Sequence, residues 1–218
     1  VLLAFVFRHS LRLFQTRYRL YLSKDLYEIN LKTWGRIKIT IGTTSGCGDT
    51  VNFITTQLAD AYEEYSAFLD IEFVPWGRTI QNADGTQTCQ FGVNDCFANR
   101  LHRCVLDQLR TNQQAQMDYM LCEFSPPHPS FLQRSYACAA AVGLNLVTID
   151  VCVATPLGDH LDAAAQAASA EPMATINFVP SIVFNDQIDV DLHTTARSRL
   201  KSMILGGCGT YCLFDQIV

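Results

Sequence analysis

An alternation of apolar and polar side chains predicts a first strand over residues 37–43. Ile37, Ile39 and Ile41 would share one face of that strand, with polar residues between them. A turn rich in glycine and serine follows, and beyond it the apolar residues recur every three or four positions: Val51, Ile54, Leu58 and Tyr62. This longer period predicts a helix over residues 48–67.

The rest of the chain continues as a mixture of strands and helices. The pattern predicts a strand over 69–76, a hairpin tip at 82–85, a helical block over about 95–153 that breaks at 126–129 and restarts over 131–142, a helix over 157–170, a strand over 176–184 interrupted by Pro180, a turn at 185–186 and a last helix over 194–205. This order is the outline of an α/β, thioredoxin-like fold with an inserted helical segment.

Three regions are predicted: an N-terminal basic and apolar segment (1–36), the α/β domain (37–212) and a short tail (213–218). The net charge of −5 gives no case for nucleic acid, but residues 1–40 carry a balance of +6. That segment could contact an acidic partner or a membrane surface, and we favour a solvated edge or an arm folded onto the acidic body. The apolar run 1–7 fits either the end of a signal peptide or a first element of the fold. No transmembrane segment is predicted.

The cysteine content indicates a disulfide-stapled protein of the secretory pathway. Eight of the nine cysteines could form four disulfides: Cys89, Cys96, Cys104, Cys122, Cys138, Cys152, Cys208 and Cys212. The sequence does not choose among their pairings. Zinc is the competing use of so many thiols, but no paired Cys-x-x-Cys motif is present, and no metal site is predicted.

The ninth cysteine, Cys47, lies where the turn after the first strand meets the first helix. Amide N–H groups and the positive end of the helix dipole favour the reactive thiolate at such a position. A dithiol enzyme would carry its resolving cysteine three residues later, and this chain has Thr50 there. A hydroxyl can donate a hydrogen bond to a thiolate but cannot resolve a mixed disulfide. A buried, passive thiol is the alternative reading of Cys47.

A dense cluster of Cys, Gly and Asx residues spans 89–104, and by itself it favours a disulfide scaffold over a catalytic centre. Gly92 permits a tight backbone, Asp95 can cap the following helix, and Asn99 could bond to nearby backbone. The cluster resembles the signature of the gamma-interferon-inducible lysosomal thiol reductase (GILT) family, Cys-Gln-His-Gly-x-x-Glu-Cys-x-x-Asn followed by a cysteine. The matching residues are Cys89, Gln90, Gly92, Cys96, Asn99 and Cys104.

The resemblance extends over residues 37–212 and includes segments 74–77 and 179–185. The chain departs from the signature at Phe91, where His is usual, and at Asp95, where Glu is usual. The resemblance implies a thioredoxin-like fold, a secreted or lysosomal location and thiol–disulfide exchange on protein substrates. It gives Cys47 the nucleophile's place and Pro180 that of the cis-proline that aligns substrate. It also suggests a divergent secreted arthropod member.

Two functions are therefore expected to compete. In the first, which the sequence favours, dithiol reductase activity is weak or lost and the protein binds a protein partner through the insertion or the basic segment. In the second, Cys47 acts as a monothiol oxidoreductase or isomerase with an external thiol such as glutathione. A Cys–His hydrolase is disfavoured, because no histidine motif pairs with Cys47. No cofactor is expected.

Overall fold

The computed structural model describes residues 36–204. In chain order its elements are β1 (Ile37–Thr43); α1, made of Gly48–Asn52, a π-helical turn Phe53–Leu58 and Ala59–Tyr65; β2 (Leu69–Pro75); β3 (Ile80–Gln81); β4 (Gln87–Thr88); α2 (Val93–Gln108); α3 (Gln113–Phe124); α4 (Pro129–Gln133); α5 (Ala137–Ala141); α6 (Leu146–Ala154); α7 (Pro156–Thr175); β5 (Ser181–Phe184); and α8 (Val190–Ile204).

The main sheet has the strand order β2–β1–β5 within the described range. β1 runs parallel to β2, with Ile39 opposite Ile71, and antiparallel to β5, with Ile41 opposite Ile182. Parallel neighbours need a crossover connection, and α1 supplies it. The end of β1, where α1 begins, therefore lies beside the start of β5.

One face of β1 lies in the hydrophobic core, while Lys38 and Thr40 on the other face are half-buried. Ile37, Ile39 and Ile41 are fully buried, as the alternation predicted, while Gly42 leaves space for Ser181 of the neighbouring strand. A Cβ at position 42 would lie 2.2 Å from the Ser181 Oγ. α8 packs against β5 and the π-helical turn of α1, which closes the core on that side.

The helical block between β4 and β5 is tied together by disulfides. Cys104 of α2 is bonded to Cys152 of α6, and Cys122 of α3 to Cys138 of α5. A third disulfide joins Cys89 to Cys96 at the start of α2. The predicted disulfide-stapled α/β fold with a helical insertion is thus confirmed. Cys208 and Cys212, like nearly all of the N-terminal segment, lie outside the described residues.

A buried ion pair anchors the block to the sheet. Arg103 of α2 lies 2.7 Å from Asp162 of α7, stacks over the Trp76 ring and donates to the Pro75 carbonyl. Burial lowers the pKa of Arg103, and Asp162 opposes that effect. Asp162 also pairs with Arg100 of α2 at 2.6 Å, so loss of Asp162 would leave the buried Arg103 without its ion-pair partner. These pairs tie α2 to α7.

Several predicted boundaries are wrong for local reasons. The strand expected from 176 begins only at Ser181, because Asn177 has a φ of 50°, which interrupts the extended backbone before it. The helix expected over 131–142 is split into α4 and α5 by Arg134, whose φ is 49°. α8 begins at Val190 rather than 194, since the Asp189 carboxylate accepts hydrogen bonds from the first amides of the helix.

Candidate functional site

Cys47 lies at the junction of β1 and α1. Its backbone is extended (φ −86°, ψ 117°), and its carbonyl accepts the first helical hydrogen bond from Val51 N at 3.0 Å. The residue is 7% exposed, and it is the one free cysteine in the part of the chain that the structure describes. The helix that was predicted to begin after Cys47 therefore begins there.

The residue before Pro180 lies against the Cys47 sulfur. The Val179–Pro180 peptide is cis, and the Cys47 Sγ lies 3.4 Å from the carbonyl oxygen of Val179. The resemblance predicted this juxtaposition, and no periodicity in the sequence could have done so. The two segments are 132 positions apart along the chain and meet because β5 pairs with β1.

Thr50, the residue in the resolving position, faces inward. The side chain is fully buried, and its hydroxyl has no hydrogen-bond partner among residues 36–204. An unsatisfied buried hydroxyl costs roughly 1–3 kcal/mol. Where a dithiol enzyme has its second cysteine, this chain therefore has a buried hydroxyl without a hydrogen-bond partner among the described residues.

The turn before Cys47 is held by carboxylate and amide groups of α2. Thr44 Oγ1 lies 2.8 Å from both carboxylate oxygens of Asp95, and Gly46 N donates to the same carboxylate at 3.1 Å. Asn99 accepts a hydrogen bond from Ser45 N at 2.9 Å. The signature residues thus fix the backbone that leads into Cys47.

The expected capping role of Asp95 is wrong in this detail. α2 begins after Gly92, whose φ is 80°, and no side chain caps it. The Asp95 carboxylate instead accepts hydrogen bonds from the Cys47 turn and from Phe91 N at 3.3 Å. Asp95 is fully buried, and its donors are Thr44, Gly46, Phe91 N and the Asn99 amide rather than the first amides of α2, which explains why a helix-capping rule did not describe it.

Aromatic side chains cover the same turn. A Cβ placed on Gly46 would lie 2.5 Å from the Phe91 side chain and 2.9 Å from the Phe131 ring. Position 46 therefore accepts only glycine without a shift of these rings. Phe91 is 40% exposed, so the residue that replaces the signature histidine forms part of the surface beside Cys47.

Behind the turn lies a buried polar cluster that the sequence reasoning missed. His102 is hydrogen-bonded to Ser130 at 3.0 Å and lies 3.6 Å from Glu123. Burial would raise the pKa of Glu123, but His102 and Ser130 outweigh it and lower that pKa. The spacing of Asp95, Asn99 and His102, close to one helical turn each, was the available signal.

The signature cysteines serve the scaffold. Cys89 and Cys96 bond to each other, and Cys104 is fully buried in its bond to Cys152. Gln90 is exposed. Within residues 36–204 no three His, Cys, Asp or Glu side chains lie close enough to hold a metal ion. In the same range no helix has the length and apolar character needed to cross a bilayer.

Comparisons with known proteins bear on the family and the fold of this chain. A family model described as "Gamma interferon inducible lysosomal thiol reductase (GILT)" matches residues 38–142. GILT-like protein 1 of Drosophila melanogaster is 26% identical over 184 residues, which cover 78% of this chain and 74% of that protein. An Anopheles gambiae gamma-interferon-inducible lysosomal thiol reductase-like protein is 26% identical over 109 residues, 45% of each chain.

One solved structure supports the fold. The crystal structure of a candidate protein disulfide isomerase from Nitrosomonas europaea aligns with a TM-score of 0.51 at 12% identity, covering 80% of this chain and all of that one. At this identity the likeness concerns the fold alone. Together with the sheet order, it confirms the thioredoxin-like class predicted from the order of the elements.

Proposed function

This chain belongs to the gamma interferon inducible lysosomal thiol reductase family, and on that premise we propose that it exchanges disulfides of protein substrates through the single thiol of Cys47. An external thiol completes the reaction. The observation that carries the proposal is the contact between the uncrosslinked Cys47 and the peptide that precedes cis-Pro180.

The chemistry proceeds in three exchanges. The Cys47 thiolate attacks a substrate disulfide, which forms a Cys47–substrate disulfide and releases the first substrate thiolate. An external thiolate attacks the Cys47 sulfur, releases the second substrate thiolate and leaves its own sulfur bonded to Cys47. A second external thiolate attacks that sulfur and frees Cys47. One substrate disulfide is reduced, two external thiols are oxidised to their disulfide, and solvent protonates the released thiolates.

Thr50 is the reason for requiring an external thiol. In a dithiol enzyme the second cysteine of the pair attacks the mixed disulfide within the same molecule, and a hydroxyl cannot do so. We therefore place the protein among monothiol exchangers. A secretory compartment suits this chemistry, since three disulfides in the described range would be unusual in the cytosol.

The test is reduction of a disulfide-bonded reporter peptide with reduced glutathione as the external thiol. Wild-type protein should accelerate the reaction in proportion to its concentration, and Cys47→Ser should be inactive. Thr56→Ser, an exposed hydroxyl change in the same helical segment, is the matched control and should retain the wild-type rate. Equal rates for wild type and Cys47→Ser contradict the proposal.

A second candidate, binding to a protein partner without turnover, is favoured by one feature of the insertion. Val147 and Val151 are 71% and 51% exposed one turn apart on α6. Exposed apolar residues on one helix face are typical of interaction sites. If this is the working surface, Val147→Asp with Val151→Asp abolishes the biological effect and Cys47→Ser preserves it. The opposite pattern supports the exchange reaction.

A further inference from the structure

We propose that the cleft beside Pro180 binds the external thiol itself, and that this thiol is a small zwitterionic peptide of the glutathione class. In this assignment the Arg197 guanidinium pairs with a carboxylate of the peptide and the Asp49 carboxylate pairs with its ammonium group. The inference rests on the proposed exchange reaction and specifies the substrate of its second and third steps.

The cleft has a position and size that suit this role. It has a volume of about 340 Å³ and is lined by Asp49, Asn52, Pro180, Thr194, Arg197 and Ser198. Asp49 is two residues after Cys47, and Pro180 follows the carbonyl that contacts the Cys47 sulfur. Chain neighbours of Cys47 and of the Val179 carbonyl thus line the cleft, and the proposal places the thiol of the bound peptide at the cleft end nearest to Cys47.

Arg197 is held in place for anion binding. Its guanidinium carbon lies 3.7 Å from the centre of the Phe178 ring, a stacking distance that orients the planar group. The side chain is 36% exposed and lies 3.7 Å from the Asp49 carboxylate, which is 58% exposed. Ion pairs this exposed are weak, so both charges stay available to a ligand.

The charges select the chemical class of thiol. A cleft with one cation and one anion about 4 Å apart matches the amino-acid head group of a small peptide, in which an ammonium and a carboxylate share one carbon. The neutral polar residues Asn52, Thr194 and Ser198 can hydrogen-bond to peptide amides. A simple neutral thiol would gain nothing from either charge.

The experiment compares three reductants of the mixed disulfide: glutathione, 3-mercaptopropionate, which carries a carboxylate but no ammonium, and neutral 2-mercaptoethanol. Arg197→Gln should raise the KM for the first two about tenfold, the loss expected for one charge-assisted hydrogen bond, while 2-mercaptoethanol is used as in wild type. Asp49→Asn should raise the KM for glutathione alone. Arg199→Gln, an exposed arginine on the same helix outside the cleft, is the matched control and should behave as wild type.

Failure of this inference is distinct from failure of the exchange reaction. If wild-type protein turns over with glutathione and with 2-mercaptoethanol but Arg197→Gln changes neither KM, or changes both equally, the cleft assignment is wrong and the exchange stands. If none of the three thiols supports turnover that depends on Cys47, the exchange reaction is wrong and the cleft assignment falls with it.

Discussion

At the scale of one residue, Thr50 matters most, because it stands where a dithiol enzyme has its resolving cysteine. It lies one helical turn after Cys47, is fully buried, and leaves its hydroxyl without a partner in the described range. Residues three apart in a helix are neighbours on one face, and a Cys-x-x-Cys pair uses this spacing. Position 50 therefore has the sequence spacing of a resolving cysteine but lacks the sulfur.

Restoring that sulfur should change the reaction type. We expect Thr50→Cys to form a disulfide with Cys47 on mild oxidation, detected as a loss of about 2 Da and of both free thiols. The variant should also release its mixed disulfide without external thiol. A Thr50→Cys protein that keeps two free thiols under oxidation would show that position 50 does not face Cys47. Thr50→Ser, which adds no thiol, is the control.

Removing the unsatisfied hydroxyl should stabilise the fold. Thr50→Val keeps the shape of the side chain and deletes the buried polar atom, so we expect the free energy of unfolding to rise by about 1 kcal/mol in urea titrations. Thr50→Ser keeps the hydroxyl, loses a methyl group and should be less stable than wild type. A loss of stability in Thr50→Val would mean that the hydroxyl has a partner in solution.

His193 should make the strand after Pro180 sensitive to acid. Its Nδ1 accepts a hydrogen bond from Ile182 N at 3.3 Å, and burial, helped by the Arg197 charge, lowers its pKa from 6.5 to about 4. The unfolded chain binds the proton first as pH falls. The stability linked to His193 is therefore complete above about pH 6.5 and is lost as pH falls towards 4, by up to about 1.4 kcal/mol per pH unit.

The check is unfolding free energy against pH for His193→Gln, whose amide oxygen can still accept the hydrogen bond. We expect a shallower decline between pH 6.5 and 4.5 than in wild type. His160→Gln, at an exposed position, should follow the wild-type curve. If the free energy of unfolding of His193→Gln declined with pH as steeply as that of wild type, groups other than His193 would cause the pH dependence.

At the scale of elements, α2 determines the shape of the turn that presents Cys47. Its Asp95 carboxylate accepts hydrogen bonds from Thr44, Gly46 and Phe91. Asp95→Asn replaces one acceptor with a donor, so we expect it to lower the free energy of unfolding by about 1–3 kcal/mol. We also expect Cys47 to react more slowly in the variant even when all of the protein is folded. Alkylation rates of Cys47 in fully folded protein measure the second effect.

Asp107→Asn is the matched control for that change. Asp107 lies on the same helix and pairs with the exposed Arg110 at 3.5 Å. Exposed pairs contribute little, so stability and the alkylation rate should both stay at wild-type values. If Asp95→Asn and Asp107→Asn changed stability and the alkylation rate equally, the contacts of Asp95 with the turn would not determine the reactivity of Cys47.

The observed helices and strands show which of their boundaries could be predicted from the sequence. β1 and β2 were predicted within a residue of their ends, because their buried faces alternate with period two. The predicted start of β5 was wrong, because the positive φ of Asn177 cannot be recognised from the pattern of apolar residues. The Cys47 position came from local pattern, and its meeting with Pro180 came from the family resemblance.

Other contacts in the site could not be predicted from the sequence. The stacking of Arg197 on Phe178 joins a helix to a loop and leaves no periodic trace. Two partners of Asp95, Thr44 and Gly46, lie about fifty positions away in the chain, so a helix-end rule could not find them. Only the helical spacing of Asp95, Asn99 and His102 offered a signal for the cluster behind the turn.

At the scale of the whole molecule, the disulfides stabilise the helical insertion to different degrees. Cys104–Cys152 closes a loop with a sequence separation of 48, against 7 for Cys89–Cys96. Chain entropy then predicts contributions of about 4 and about 2.5 kcal/mol. Cys104→Ala with Cys152→Ala should therefore lower stability more than Cys89→Ala with Cys96→Ala in denaturant titrations. If the loss of Cys89–Cys96 lowered stability more, that disulfide would stabilise the fold by more than the entropy of its loop.

The most direct test of the account is to trap the first chemical intermediate. The protein is mixed with a disulfide-bonded peptide without other thiols, quenched with acid and mapped by mass spectrometry. We predict that the peptide is found on Cys47, that the adduct persists because position 50 has no thiol, and that added glutathione releases it. A peptide bound elsewhere, no adduct at all, or release at the same rate without glutathione would contradict the account.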